Sequence, residues 1–146
     1  VPVAMLQTPY EAERLFAGDY AGKKCRLCLA TTTSGSPNLS SNTAAWDAVE
    51  RSGSGYARCE WTIPAGSFNT TTDRFEAGSQ SCSFTASGSA LTWNAAYLVI
   101  GTSGSTVTWG TGVSFVLSES PSISLAAGAS RIYTVQLFAD GFTVTA

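Results

Sequence analysis

Polar and apolar residues alternate along most of this chain, and the alternation has a period of two. Over residues 23–30, Cys25, Leu27 and Leu29 fall on one side and Lys24, Arg26 and Cys28 on the other. That is the pattern of a strand with one buried face. Residues 56–63 repeat it, with Ala57, Cys59, Trp61 and Ile63 opposite Tyr56, Arg58, Glu60 and Thr62. Further β-rich runs stand at 72–77, 81–86, 97–101, 105–109, 113–118, 122–125, 131–138 and 141–145, with Gly-containing connectors between several of them. Asp140-Gly141, between the last two, has the composition of a type I′ hairpin turn.

The period changes near the start. Thr8 stands three residues before Glu11, the spacing of a capping box, and Pro9 takes the first helical position, where a missing N–H costs nothing. Tyr10, Leu15 and Phe16 then give a short helix one apolar side, and Gly18 marks its end. Residues 44–49 read as a helical turn, 31–42 as a polar loop and 52–55 as a Ser-Gly hinge. The prediction is a mainly β protein, an antiparallel β-sandwich or jelly-roll-like barrel with a short N-terminal helix. Residues 1–7 form an extended N-terminal arm in this reading, and 8–146 one domain.

Composition narrows the function. Charged residues make up 12% of the 146, against about a quarter in an average soluble domain. The net charge is −2 and the basic residues do not gather on one face, which argues against nucleic acid as a partner. The longest apolar runs, such as 95–100, fall far short of the roughly 20 residues of a membrane-spanning helix. Histidine is absent, so the commonest general base is missing. Ser and Thr, which lose little side-chain entropy on burial and hydrogen-bond in both directions, are abundant. The balance points to a protein that packs against others, with no enzymatic activity and no cofactor.

Three groups are candidates for chemistry. Cys25 and Cys28 form a C-x-x-C, but inside an alternating strand residues three apart face opposite ways. Buried free thiols are therefore the first reading of the four cysteines, a Cys–Cys bridge the second and structural zinc the third. The acids lie mostly at helix starts, turns or solvent-facing strand positions; Asp73 with Glu76 reads as a wet turn rather than a cation site. Trp46, Trp61, Trp93 and Trp109, with Tyr56 and Tyr97, hold enough aromatic surface to stack on a sugar. Trp61 lies on an apolar strand face, whereas Trp93 and Trp109 stand near strand ends and are the candidate exposed pair.

The order of segments also resembles a group of small bacteriophage virion proteins, structural or tail-fibre-like. The resemblance rests on Leu15-Phe16-Ala17-Gly18 closing the helix and on the strand Cys25-Arg26-Leu27-Cys28-Leu29-Ala30. Its hallmark is Gly55-Tyr56-Ala57-Arg58, which follows Glu50-Arg51-Ser52-Gly53. Phe84-Thr85-Ala86 ahead of Trp93, and the closing segments 122–128 and 132–145, extend it over nearly the whole chain. The chain departs from that pattern in lacking the family's histidine, in the loop 31–42 and in its cysteines. The resemblance implies a virion subunit assembled in a bacterial cytoplasm, foremost a capsid decoration or cement protein. Its partners would be the major capsid protein or other virion subunits, and it would be a homo-oligomer, a trimer being common in such settings. Val3, Met5 and Leu6 of the arm, with Tyr10 beside it, are the expected anchors. The alternative is a tail or tail-fibre component, or a glycan-binding module stacking sugars on Trp93 or Trp109.

Overall fold

Thr8 caps helix α1 (Pro9–Asp19), its hydroxyl accepting the Glu11 N–H at 3.2 Å. The computed structural model describes residues 8–33, 36–103, 106–139 and 141–146; the expected arm at 1–7, with Val3, Met5 and Leu6, lies outside them, as does Asp140. The helix ends one residue past Gly18. Phe16, fully buried, anchors it to the domain through its ring contact with Phe75 at 5.3 Å.

From there the protein is an antiparallel β-sandwich. One sheet runs β2 (Cys59–Thr62), β1 (Lys24–Ala30), β6 (Leu91–Ile100), β7 (Phe115–Leu125). The other is built on β8 (Ser130–Phe138), which pairs with β4 (Arg74–Glu76), β5 (Gln80–Thr85) and β9 (Gly141–Thr145). A three-residue strand, β3 (Ser67–Asn69), flanks β4. Cys25, Leu27, Leu29, Trp93, Ala96 and Leu98 of the first sheet meet Phe75, Cys82, Phe84, Tyr133, Val135 and Leu137 of the second in one core. The hairpin expected at the end of the chain is present, with Phe138 paired to Gly141.

One irregularity organises the first sheet. Ala95 pairs with Ser118 and Trp93 with Ile123, so Glu119, Ser120, Pro121 and Ser122 stand opposite Asn94 alone. The bulge reverses the phase of β6. Leu91 and Trp93 point into the core before it, and Ala96 and Leu98 after it. Asn94 turns outward instead and pairs with the backbone of Thr32, accepting its N–H and donating to its carbonyl, both at 2.8 Å. The runs expected at 113–118 and 122–125 are therefore one bulged strand. The run expected at 105–109 is not a strand among the described residues; only a single bridge joins Gly101 to Trp109.

Cys59 and Cys82 are joined by a disulfide, with Cα atoms 5.6 Å apart. This corrects the expectation of mostly free thiols for two of the four. Cys59 on β2 and Cys82 on β5 turn inward from different sheets and meet where those strands adjoin, a long-range juxtaposition with no local signature. The bridge closes 23 residues of chain, worth about 3 kcal/mol if it acts chiefly on the unfolded state. Dithiothreitol is expected to lower the unfolding free energy by that amount in urea titrations. An unchanged midpoint after verified reduction would contradict it.

Candidate functional site

The even-numbered side of β1 faces away from the inter-sheet core, yet it is covered as well. Asn42 caps a five-residue helix, α2 (Thr43–Asp47), by accepting the Ala45 N–H at 2.9 Å. Together with the segment 106–113, this helix folds over Cys28, Ala30, Trp46, Ala95, Tyr97 and Val99, a second small core. Within that cover Arg26 is only 1% exposed. Its Nη2 donates to both oxygens of Asp47, at 3.1 and 2.9 Å, and Tyr97 donates its hydroxyl to Oδ1 at 2.7 Å. The guanidinium lies over the Trp109 ring, 4.7 Å from its centroid. Gly101 permits that ring position, because a Cβ there would come within 2.9 Å of the indole.

The edge of this cover is a cleft of about 290 Å³ lined by Asn42, Thr43, Ala44, Asp47, Trp109, Gly110 and Thr111. Its two rims are tied together. Thr43 donates its N–H to Thr111 at 2.9 Å and its hydroxyl to the Gly110 carbonyl at 2.6 Å, and Asn42 bridges to Gly112.

The structure divides the candidate aromatics. Trp93 is 1% exposed and donates its indole N–H to the Tyr133 hydroxyl at 2.9 Å. This corrects its expected exposure: β6 begins at Leu91, so Trp93 is the third residue of a central strand rather than a strand-end residue. Trp46 is buried and Trp61 packs on the main core. Trp109 alone of the four tryptophans borders the cleft. Tyr10, on α1, is 75% exposed.

The segment Gly55-Tyr56-Ala57-Arg58 builds a corner. Gly55 has φ +76°, and a Cβ on it would lie 2.6 Å from that of Ser87, so glycine is required there. Tyr56 accepts the Leu29 N–H at 3.0 Å and donates to Glu50 at 2.8 Å, while Arg58 clamps the same carboxylate with two bonds of 2.7 Å. The device recurs. Asp47 is held by Arg26 and Tyr97, Glu50 by Arg58 and Tyr56, and Glu119 by Arg131 at 3.4 Å and Tyr133 at 2.6 Å. Burial pushes all three tyrosine hydroxyls up from their ordinary range, so each remains a donor. These acids, expected mostly at helix starts, turns or solvent-facing strand positions, are thus spent on structural ion pairs.

The remaining cysteines sit on opposite sides of β1, Cys25 in the inter-sheet core and Cys28 in the outer one. Burial pushes the Cys28 thiol up to about 12 and Cys25 upward too, which suppresses the nucleophilic thiolate. Glu76 accepts a hydrogen bond from Asn69 at 2.8 Å, beside the turn that holds Asp73. No group of three or more metal-ligating side chains occurs among the described residues. Neither protein-family models, nor curated proteins, nor solved structures yield a match to this chain.

Proposed function

We propose that this chain is a non-enzymatic structural subunit of a bacteriophage particle, a capsid decoration protein that stabilises the head through repeated contacts with neighbouring subunits. The observation that carries the reading is the outer face of the second sheet. Ser81, Ser83 and Thr85 of β5, Ser130 and Ile132 of β8, and Thr143 and Thr145 of β9 are all exposed there. Strand register sets Ser83 beside Ile132, and aligns Ser81, Thr134 and Thr145 in a row. Hydroxyls and one aliphatic side chain, 53% exposed at Ile132, make the β5–β8–β9 part of this face a patch without charge, Arg74 and Glu76 of β4 standing at its far edge. Interface centres are depleted in charged residues in the same way. Many modest contacts summed over a symmetric shell hold a particle together without any single strong site.

Purified chain is expected to rebind particles stripped of it. Ile132→Lys, an exposed change with little effect on folding, should weaken that binding by about tenfold or more. Removing residues 1–7, with Val3, Met5 and Leu6, should abolish it while leaving thermal unfolding unchanged. Full rebinding by both variants would overturn the proposed surfaces.

A further inference from the structure

The geometry points to the Trp109–Asp47 cleft as a binding site for one neutral sugar ring. This is separate from the packing role, and sugar binding and particle binding can be lost independently. The cleft has an aromatic wall in Trp109, which is half-buried and fixed from one side by Arg26. Around it are hydrogen-bonding groups of the kind that read hydroxyls. Asp47 Oδ2 accepts one bond from Arg26, and a carboxylate oxygen can accept more. Asn42 uses its Oδ1 to cap α2, which leaves its Nδ2 to donate. Arg26 itself does not line the cleft and its Nε and Nη1 are buried, so it serves the site by holding the indole and the Asp47 carboxylate in place rather than by donating to a ligand.

Charge selects the ligand class. Among the described residues that line the cleft Asp47 is the only ionisable one, and Arg26 pairs with it directly. An anion would meet the Asp47 carboxylate first. A cation would meet a carboxylate already neutralised and an indole whose face already holds a guanidinium. A neutral ring with one apolar face and several hydroxyls fits both the stacking wall and the free acceptors and donors. The cross-ties between Thr43, Gly110 and Thr111 set the rims in place before a ligand arrives, which limits the ordering cost of binding. The volume lies at the low end of the roughly 300–1,000 Å³ usual for ligand pockets. One ring held in so open a cleft should bind with a dissociation constant on the order of millimolar.

The test is a two-dimensional NMR titration of the ¹⁵N-labelled full chain with the methyl glycosides of glucose, galactose, mannose and N-acetylglucosamine, and with glycerol. At least one glycoside is expected to give saturable shifts centred on the Trp109 indole N–H and the Asn42, Gly110 and Thr111 amides, with none from glycerol. Trp109→Ala should remove them. Ala44→Lys, at an exposed position on the rim, should also remove them and leave the rest of the spectrum in place. The site is overturned if none of the four glycosides gives saturable shifts at the cleft, if glycerol reproduces them, or if they survive Ala44→Lys.

Discussion

Replacing Asp47 with alanine is expected to destabilise the protein by about 3–5 kcal/mol, the usual cost of breaking one partner out of a buried ion pair. The domain as a whole has on the order of 5–15 kcal/mol to lose. The size of the effect comes from asymmetry between the partners. Arg26 is 1% exposed, and without Asp47 its charge would be left buried against the Trp109 ring with no carboxylate beside it among the described residues. Tyr97 would lose its acceptor at the same time. Asp47 is 32% exposed, so when Arg26 is replaced by methionine the carboxylate can hydrate and the hydrophobic substitute can pack. Arg26→Met should therefore cost clearly less. In the double variant most of the Asp47→Ala penalty should vanish, which a double-mutant cycle in urea measures as coupling. Equal costs for the two single changes, or additive ones, would contradict the described burial of Arg26.

Trp93→Ala should cost a similar 3–5 kcal/mol by a different route, the cavity left by a large aromatic in a core that closes poorly around it. Trp93 lies where the phase of β6 reverses, and its indole N–H reaches across the sandwich to Tyr133, which continues to Glu119 and Arg131. Trp93→Phe keeps most of the volume and loses the hydrogen bond, so it should cost roughly 1–3 kcal/mol. Trp109→Ala removes a half-buried ring from the rim of a cleft, and its cost should fall well below that of Trp93→Ala. Urea unfolding of the three variants decides the matter. Similar values for Trp93→Ala and Trp109→Ala would show the two tryptophans to be equally placed, against the structure.

The sandwich class and strands such as β1, β5, β8 and β9 were legible because the alternation of β1 and the turn residues between strands are local signals. The helix was legible for the same reason, since Thr8, Pro9 and Glu11 act on their own backbone. β6 was harder. Residues 95–100 are apolar on both sides because both sides are covered, and the bulge at Asn94 breaks the phase that would tie Leu91 and Trp93 to the rest. Pro121 made one bulged strand read as two. β3 is three residues long, too short to show a period. At the site, Trp109 was singled out as an aromatic at a strand end. Asp47 was not, because its partners Arg26 and Tyr97 lie 21 and 50 residues away. The spacing of Glu50, Tyr56 and Arg58 was visible as a motif, but its meaning as a corner depended on Gly55 meeting Ser87 from another part of the chain.

The measurement that bears most directly on the central claim is immunogold labelling of intact phage particles from the source, using antibody raised against this chain. A capsid decoration protein predicts gold spread evenly over the heads, with labelling lost when the particles are stripped of the protein. Gold confined to tails or fibres, or particles that carry no gold, would contradict it.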